Sequence, residues 1–267
     1  MSRLSSLASF VRVLPLVLAA CVGSVGCTAE LDGDEHDHGD DIEEGDTSTE
    51  SALTPGYGVP ASLGLNKNRK IYLTFDDGPS AAYTNKILDT LKAHRAPATF
   101  FVTGKNIAGQ ETVLRREAAE GHIVANHQWE HVKATETQLR SWAPKERDLL
   151  DEIAGTQPHY FRYPYGAGTA AKEGILKQAG YVDGGIGWDI DTLDWCFSKT
   201  GTCNRDEVKA AYRSDFVGWV VSECKRRGGG VVLFHDVQGI TQRNLDRIMT
   251  ELEAEGFEFA NLPTSGR

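Results

Sequence analysis

From about residue 70 onwards, short apolar segments typical of β-strands alternate with longer segments typical of helices. The β-like segments are 70–75, 98–103, 121–125, 160–163, 182–188, 231–234 and 257–260. The helix-like segments are 81–94, 107–120, 137–154, 170–179, 205–227 and 241–255. This alternation predicts parallel strands covered by helices, because each helix carries the chain back between two parallel strands. We therefore expect an α/β fold of about seven β/α units.

Polar side chains that can bind metal or transfer protons follow several of these β-like segments. They are Asp76, Asp77, Asn126, His127, Arg162, Asp189, Asp191 and His235. In parallel barrels the carboxyl ends of the strands meet at one mouth, and the catalytic groups lie there. We therefore expect these residues, which are far apart in the sequence, to converge on one site.

Two pairs of residues predict a metal centre. Asp76 and Asp77 follow the apolar run 71–73, and His127 and His131 lie four residues apart. Taken singly, the Asp pair is typical of a turn and the His pair of a solvated surface. Together they favour catalysis, because a borderline-soft divalent ion binds imidazole nitrogen and carboxylate oxygen and keeps a position open for water. Since adjacent strand residues point to opposite sides, we expect one carboxylate to bind the metal and the other to serve as a base.

Five motifs occur in order along this region. They are TFDDGP at 74–79, His127 with His131, RYPYG at 162–166, DTLDW at 191–195 and LFH at 233–235. Together they resemble the five motifs of the NodB-type polysaccharide deacetylases, carbohydrate esterase family four. The resemblance covers about residues 70–262 and implies a distorted (β/α)7 barrel, the NodB homology domain.

The resemblance implies a one-metal hydrolytic site. Asp77, His127 and His131 are then the ligands of a divalent ion, zinc in the first place, with cobalt as the alternative. Asp76 is the general base that takes a proton from the metal-bound water. Arg162 orients this base.

The resemblance also assigns the remainder of the site. The backbone N–H of Tyr165 helps to hold the oxyanion, and Asp194 pairs with the acid–base machinery. His235 is the general acid, which an amine leaving group needs because it departs poorly unless protonated. Trp195 forms a wall of the groove, and Leu233 lines the pocket for the acetyl methyl group.

Structural alternatives exist for several of these positions. Arg162 could be a surface charge, Trp195 a core residue, and His235 an interior histidine whose partner is the neighbouring aspartate. Asp189 and Asp191 could cap or solvate a loop. Arg162 precedes a rigid loop, Tyr-Pro-Tyr-Gly, which favours a functional role for it. His235 follows an apolar β-like segment, which favours its role as the acid.

The sequence departs from the family pattern beside the first histidine. A Ser or Thr usually follows that residue and braces the loop by a local hydrogen bond. Gln128 occupies this position here, followed by Trp129 and Glu130. Both ligands remain, so we expect catalysis to be retained and the shape of the loop to differ.

The resemblance implies a carbohydrate deacetylase that removes N-acetyl groups from a β-1,4-linked amino-sugar polymer or oligomer and releases acetate. Chitooligosaccharides and peptidoglycan glycan are the candidate substrates. An O-acetyl xylan esterase shares the same machinery and is one alternative. A carbohydrate-binding protein with an inactive site is another, but such a protein would have a broken ligand triad, and this triad is intact.

The net charge of −10 belongs mostly to one segment and not to the expected domain. Residues 28–56 contain eleven acidic residues and no Lys or Arg, and residues 1–27 contain two Arg. The remainder therefore has a net charge of −1. Because no basic excess is available to neutralise phosphates, nucleic acid is not an expected partner.

The first 56 residues are typical of export and tethering. Residues 1–27 have a weakly basic start and an apolar stretch, 13–20, that is too short to span a bilayer. Leu18-Ala19-Ala20-Cys21 resembles a bacterial lipobox, and Cys27 is a second candidate for lipidation. An ordinary cleaved signal is the alternative. Residues 28–56 resemble an extended acidic tether.

We therefore expect a catalytic domain over residues 57–267, exported and lipid-anchored at the cell envelope, or otherwise secreted. Membrane contact is expected only through the anchor, and we expect a monomer. Three cysteines lie in this domain: Cys196, Cys203 and Cys224. In an exported protein they suggest one disulfide, for which Cys196 with Cys203 is the favoured pair, although either could bond Cys224.

Overall fold

The structure is a computed structural model that describes residues 58–155 and 159–263. The predicted export segment 1–27 and the tether 28–56 lie outside the described residues. Within the described part, the predicted parallel α/β fold is confirmed.

Strands and helices alternate along the described chain. The strands are β1 (Lys70–Asp76), β2 (Ala98–Val102), β3 (Ile123–Asn126), β4 (Ile190–Asp191), β5 (Gly230–His235) and β6 (Glu258–Phe259). The α-helices are α1 (Thr84–Ala93), α2 (Glu111–Ala119), α3 (Glu136–Ala154), α4 (Ala170–Gln178), α5 (Asp194–Thr200), α6 (Phe216–Arg227) and α7 (Gly239–Ala254). Short 3₁₀ turns occupy Ala61–Leu63, Gly104–Ile107, Pro164–Gly166 and Ala210–Tyr212.

The strands form a parallel sheet in the order β3-β2-β1-β5-β4. The short β6 pairs with the beginning of β1, and β2 pairs with its end. In this register Asp76 lies beside Phe101 on β2 and beside His235 on β5. The carboxyl ends of the central strands therefore lie at one level, as the barrel prediction requires.

Single-residue bridges extend the sheet beyond β3. Phe161 bridges to Asn126 on one side and to Gly185 on the other, both in parallel. From Gly185 the chain continues directly into β4, which pairs with β5. The pairing thus runs around a closed ring, which is the distorted barrel.

The predicted strands 160–163 and 182–188 are wrong as extended elements, because each contributes only one bridging residue among the described residues. Pro164 begins a 3₁₀ turn directly after Tyr163. Gly184 has a φ of 72°, which breaks an extended conformation. The distortion of the barrel is concentrated in these two segments.

The predicted helix 205–227 is too long. The structure begins α6 at Phe216, where the Asp215 side chain accepts a hydrogen bond from the N–H of Gly218 and caps the helix. The preceding residues form loops and a 3₁₀ turn. In addition, α5 was not predicted, since its seven residues carry too little periodicity to be recognised.

Alternate residues of β1 face two different apolar layers. Ile71, Leu73 and Phe75 belong to the core between the sheet and the outer helices. Tyr72 belongs to a second cluster inside the barrel, formed with Phe101 and with Ala125, Tyr160, Ile186, Val231 and Leu262. By the same alternation Thr74 and Asp76 continue the inner face towards the mouth.

The favoured disulfide pair is the one in the structure: Cys196 and Cys203 are bonded, and Cys224 is buried as a free thiol. No helix in 58–155 or 159–263 combines the length and apolar character that crossing a membrane requires.

Candidate active site

Asp76 ends β1 on the inner face and is buried at the mouth of the barrel. Its Oδ1 accepts a hydrogen bond from Nη1 of Arg162 at 2.7 Å. Its Oδ2 faces Nε2 of His127 at 3.7 Å. One carboxylate oxygen is therefore held by the guanidinium, and the other is directed towards His127.

Arg162 has no exposed surface and is held from several directions. It donates to Thr74 Oγ1 at 2.8 Å and to the carbonyls of Ile186 at 3.1 Å and Gly187 at 2.9 Å. Its guanidinium lies 4.0 Å from the ring centroid of Phe101. Burial lowers the pKa of Arg162, and the Asp76 carboxylate opposes this shift. The arginine is a fixed internal partner of Asp76 and not a surface charge.

Asp77 reaches the same side of the site by a turn and not by strand alternation. The strand ends at Asp76, and Asp77 adopts a left-handed φ of 79°. Its carbonyl accepts from Nδ2 of Asn106 at 2.7 Å, and its N–H donates to the carbonyl of Phe101 at 3.2 Å. The expectation that the two carboxylates point to opposite sides of a strand is therefore wrong, because the positive φ redirects the second one.

Asp77, His127 and His131 form a three-ligand cluster. Oδ1 of Asp77 lies 3.3 Å from Nε2 of His127 and 3.4 Å from Nε2 of His131. The three ligand atoms lie within 4.8 Å of one another. Nδ1 of His127 lies 3.0 Å from the carbonyl of Arg162, which orients Nε2 towards the cluster.

This cluster fits a divalent metal ion. Oδ1 of Asp77 is buried and has no hydrogen-bond donor in the described chain. An orphaned carboxylate oxygen is costly unless a cation satisfies it. Two imidazole nitrogens and one carboxylate oxygen are a donor set that zinc accepts while keeping an open position.

The ionisation of the cluster favours metal binding. Burial by itself raises the pKa of Asp77, but the contact with His127 and the charges of the surrounding histidines outweigh it and lower this pKa. Burial lowers the pKa of His131 to about 4, despite the opposing charge of Asp77. At neutral pH both groups are therefore deprotonated, which is the form that binds a metal.

His235 and Asp194 form a second pair. Nδ1 of His235 lies 2.7 Å from Oδ1 of Asp194. The backbone N–H of His235 donates to Oδ2 of Asp194, also at 2.7 Å. Thr241 Oγ1 also donates to Oδ2, at 2.5 Å. Burial lowers the pKa of His235, but the Asp194 charge and its hydrogen bond dominate and raise it to about 10. His235 is therefore protonated at neutral pH.

Asp194 is positioned by the turn that leads into α5. Leu193 has a φ of 55°, and its N–H donates to Oδ1 of Asp191 at 2.8 Å. The N–H of Trp195 donates to Oδ1 of Asp194 at 2.8 Å. Burial raises the pKa of Asp191. The structure thus gives Asp191 the loop-capping role that was its structural alternative.

The three groove residues lie at different depths. Tyr165 is half-exposed, with a φ of 57°, and its ring centroid lies 4.5 Å from that of His131. Trp195 is half-buried, packs against the main core and has the Arg205 guanidinium 5.4 Å from its ring centroid. Leu233 is buried on β5 beside Thr74 of β1.

Asp189 does not join the site, contrary to the expectation from its position after a β-like segment. Its Oδ2 accepts from the N–H of Val231, near the first residue of β5, and its Oδ1 pairs with Nζ of Lys67 at 2.6 Å. It therefore lies at the opposite end of β5 from His235. The strand predicted over 182–188 does not form, so Asp189 does not lie at the carboxyl end of a strand.

Several supporting residues were not predicted. Thr74 contacts Arg162, Thr241 contacts Asp194, and Thr84 Oγ1 donates to Oδ2 of Asp236 at 2.5 Å. Burial raises the pKa of Asp236 to about 7. Thr74 was recognisable as the inner-face residue two before Asp76. No sequence pattern identifies Thr84 or Thr241, because each acts through a contact with a residue that is distant in the sequence.

The chain is similar to known proteins in sequence and in structure. A family model described as polysaccharide deacetylase matches residues 64–183. A peptidoglycan-N-acetylglucosamine deacetylase of Listeria monocytogenes is 31% identical over 207 residues, covering 76% of this chain and 40% of that protein. The chain therefore spans only two fifths of that relative.

Two further matches cover most of the compared protein. A chitooligosaccharide deacetylase of Rhizobium leguminosarum bv. trifolii is 34% identical over 211 residues, covering 77% of this chain and 95% of that one. The crystal structure of the Bc1960 peptidoglycan N-acetylglucosamine deacetylase superposes with a TM-score of 0.60 at 30% identity, covering 79% of this chain and 92% of that one.

Proposed function

Because the chain belongs to the polysaccharide deacetylase family, we propose that it hydrolyses N-acetyl groups of a β-1,4-linked amino-sugar polymer or oligomer and releases acetate. Chitooligosaccharides and peptidoglycan glycan are the proposed substrates. The names of the relatives from Rhizobium leguminosarum and Listeria monocytogenes support these two classes.

One observation carries the proposal. The Asp77–His127–His131 cluster lies beside the buried Asp76. The carboxylate of Asp77 interacts electrostatically with the protonated His235. Groups suited to bind a metal, to act as a base and to act as an acid therefore lie at one mouth of the barrel. Metal-assisted hydrolysis of an amide uses these three functions together.

We propose one divalent ion, zinc with cobalt as the alternative, held by Asp77, His127 and His131. When bound, such an ion makes water more acidic and polarises the carbonyl oxygen of the acetyl group. The carbonyl of Arg162 accepts from Nδ1–H of His127 and keeps its Nε2 available as a ligand.

Asp76 is the proposed general base. Its Oδ2 is the oxygen directed towards the cluster, and it takes a proton from the attacking water. Arg162 keeps the opposite oxygen fixed, so that the carboxylate cannot rotate away.

His235 is the proposed general acid. Its Nδ1 is held by Asp194, which leaves Nε2 to donate a proton to the departing nitrogen. The water oxygen forms a bond to the acetyl carbon, the carbon–nitrogen bond breaks, and the products are acetate and the free amine. The backbone N–H of Tyr165 is the proposed donor to the oxyanion.

The competing functions make different demands on the same site. An O-acetyl xylan esterase would use the same base and metal, but its alkoxide leaving group needs less assistance from an acid. A carbohydrate-binding protein with an inactive site would not need an intact ligand cluster or a protonated acid. The pairing of His235 with Asp194 favours a hydrolase over a binding protein with an inactive site. The choice of substrate separates the deacetylase from the esterase.

The experiment is an acetate-release assay on three substrates with the purified protein. Chitooligosaccharides, peptidoglycan and acetyl-xylan are incubated with and without a chelator, and free acetate is measured. We expect chelator-sensitive release from at least one amino-sugar substrate. Release from acetyl-xylan alone would favour the esterase, and no release from any substrate with added zinc would favour the binding protein.

We also propose that the domain is exported and held at the cell envelope by a lipid on Cys21 or Cys27. The composition of residues 1–27 and the acidic tract 28–56 support this proposal. The bonded pair Cys196–Cys203 adds support, because structural disulfides persist in oxidising compartments.

A further inference from the structure

The loop between the two histidine ligands contains contacts that the proposed reaction does not use. Gln128 is almost fully buried, and its Nε2 donates to the carbonyl of Glu130 at 2.6 Å and to the carbonyl of Val132 at 2.9 Å. A side-chain amide has two N–H donors, and both are used here. The two accepting carbonyls belong to the residues immediately before and after His131.

The backbone of Gln128 is fixed as firmly as its side chain. Its φ is 72°, and its N–H donates to Oδ1 of Asn126 at 2.7 Å. Nδ2 of Asn126 donates in turn to Oη of Tyr181 at 2.7 Å. The direction in which the loop leaves His127 is therefore set by a buried network below it.

The outer side of the loop is docked on the turn that follows β2. The N–H groups of Gly104 and Lys105 donate to the carbonyls of Gln128 and Trp129, at 3.1 and 2.9 Å. Lys105 Nζ pairs with Glu130 at 2.8 Å. A Cβ at position 104 would overlap the Trp129 ring, so the glycine permits this close approach.

The same turn also holds the loop that carries the third ligand. Thr103 N–H donates to the carbonyl of Gly78 at 2.9 Å, and Asn106 Nδ2 donates to the carbonyl of Asp77 at 2.7 Å. Residues 103–106 are therefore a common support for both ligand loops. The carbonyls on either side of His131 are held in addition by the side chain of Gln128.

We propose that Gln128 is a positioning residue that fixes His131 as a metal ligand by bridging the carbonyls on either side of it. This inference rests on the proposed function, because it assumes that the cluster binds a divalent ion. A hydroxyl is too short to reach both carbonyls from position 128, whereas the longer amide spans them. The Gln–Trp–Glu sequence is thus a different way of bracing the loop and not a degraded motif.

Gln128→Glu tests this inference with little change of shape. The carboxylate replaces the two-donor nitrogen by an oxygen that faces two carbonyl oxygens, so the bridge becomes a repulsion. We expect metal-stripped Gln128→Glu to bind Co²⁺ about 10- to 100-fold more weakly than the unsubstituted protein. We also expect an altered visible absorption of bound Co²⁺, which reports the ligand geometry.

Gln178→Glu is the matched control, because Gln178 lies on α4 and forms an exposed hydrogen bond with Arg140. It should leave Co²⁺ affinity and spectrum unchanged. Circular dichroism of each metal-free protein checks the fold. If Gln128→Glu does not fold, Gln128→Met keeps the length without any donor, and the same weakening is expected.

The possible outcomes separate this inference from the proposed function. Unchanged Co²⁺ affinity and spectrum in a folded Gln128 variant would overturn the positioning role, while the unsubstituted protein still releases acetate. Failure of the unsubstituted protein to bind Co²⁺ or zinc would overturn the proposed function itself. A weakened affinity with an altered spectrum, confined to the position-128 variants, supports the inference.

Discussion

At the residue scale, the two adjacent aspartates have different proposed roles because their backbone conformations differ. Asp76 is the last residue of a strand and keeps the inner-face orientation, whereas Asp77 has a left-handed φ. A left-handed non-glycine residue is unfavourable on its own and persists where neighbours enforce it. Here Asn106 and Phe101 fix its carbonyl and N–H. The turn thereby brings the proposed base and the proposed ligand to the same site.

Asp76→Asn separates these two roles. The variant keeps the size of the side chain and leaves the ligand cluster intact, but an amide cannot accept the proton of water as a base. We expect metal content near that of the unsubstituted protein and acetate release lower by about 10²- to 10⁴-fold. Metal analysis and the acetate assay measure the two effects. Asp77→Ala is the counterpart and should lose both metal and activity. Loss of metal from Asp76→Asn would mean that the roles are reversed.

Asp194→Asn tests how His235 is kept protonated. The pKa of His235 is raised to about 10, so His235 keeps its proton from acid through neutral pH. The stabilisation that the pairing with Asp194 gives the folded protein is lost as the pH rises through that value. Removing the negative charge should move the alkaline limb of kcat/KM downward by about 1–3 pH units. The pH profile measures this shift. Asp148→Asn, at an exposed ion pair with Arg147, is the control and should not move the limb.

At the element scale, α5 depends on a covalent restraint. It begins at Asp194, and the disulfide joins Cys196 within it to Cys203 in the following loop. A helix of seven residues is not stable by itself, so packing and the cross-link must hold it. The carboxylate that pairs with His235 is therefore supported by a short element with a closed loop.

Cys196→Ser tests this support. Opening a loop of sequence separation 7 should lower the free energy of unfolding by about 2 kcal/mol, because the unfolded chain regains conformational freedom. Urea denaturation measures it. Reductant should lower the stability of the unsubstituted protein similarly and leave Cys196→Ser unaffected. Equal sensitivity of both proteins to reductant would contradict the prediction.

The elements that were predictable are those whose burial is continuous. The segments 70–75 and 231–234 correspond to β1 and β5 within two residues, because a strand covered on both faces is an unbroken apolar run. The segments 160–163 and 182–188 contain similar residues but reduce to the single bridges at Phe161 and Gly185. Their pairing depends on residues that are near in space but distant in the sequence, so the local sequence pattern does not predict it.

The same distinction applies to the site. The charged residues were recognisable because their types and order carry the chemistry. The residues that orient them were not, since Thr241 and Asn106 act only through contacts across the fold. Gln128 was visible as a departure from the pattern, but its bridge across His131 required coordinates.

At the scale of the whole molecule, charge is divided between segments. The acidic tract 28–56 leaves the remainder with a net charge of −1. We expect fatty-acid labelling of the protein in an exporting bacterial host to be lost in Cys21→Ala and retained in Cys27→Ala. Labelling lost only in Cys27→Ala would move the anchor, and no labelling of the unsubstituted protein would favour a secreted form.

Metal binding should stabilise the whole domain and not only its mouth. Of the proposed ligands, Asp77 directly follows β1, and His127 and His131 lie in the loop after β3. The turn 103–106 is hydrogen-bonded to both of these segments. An ion that binds only this folded arrangement adds free energy of unfolding by mass action, about 4 kcal/mol at a thousandfold excess over Kd. Thermal unfolding of the metal-free protein should therefore shift upward as zinc is added. His127→Ala lacks one ligand and should show little shift. An equal shift in both proteins would place the stabilising ion elsewhere.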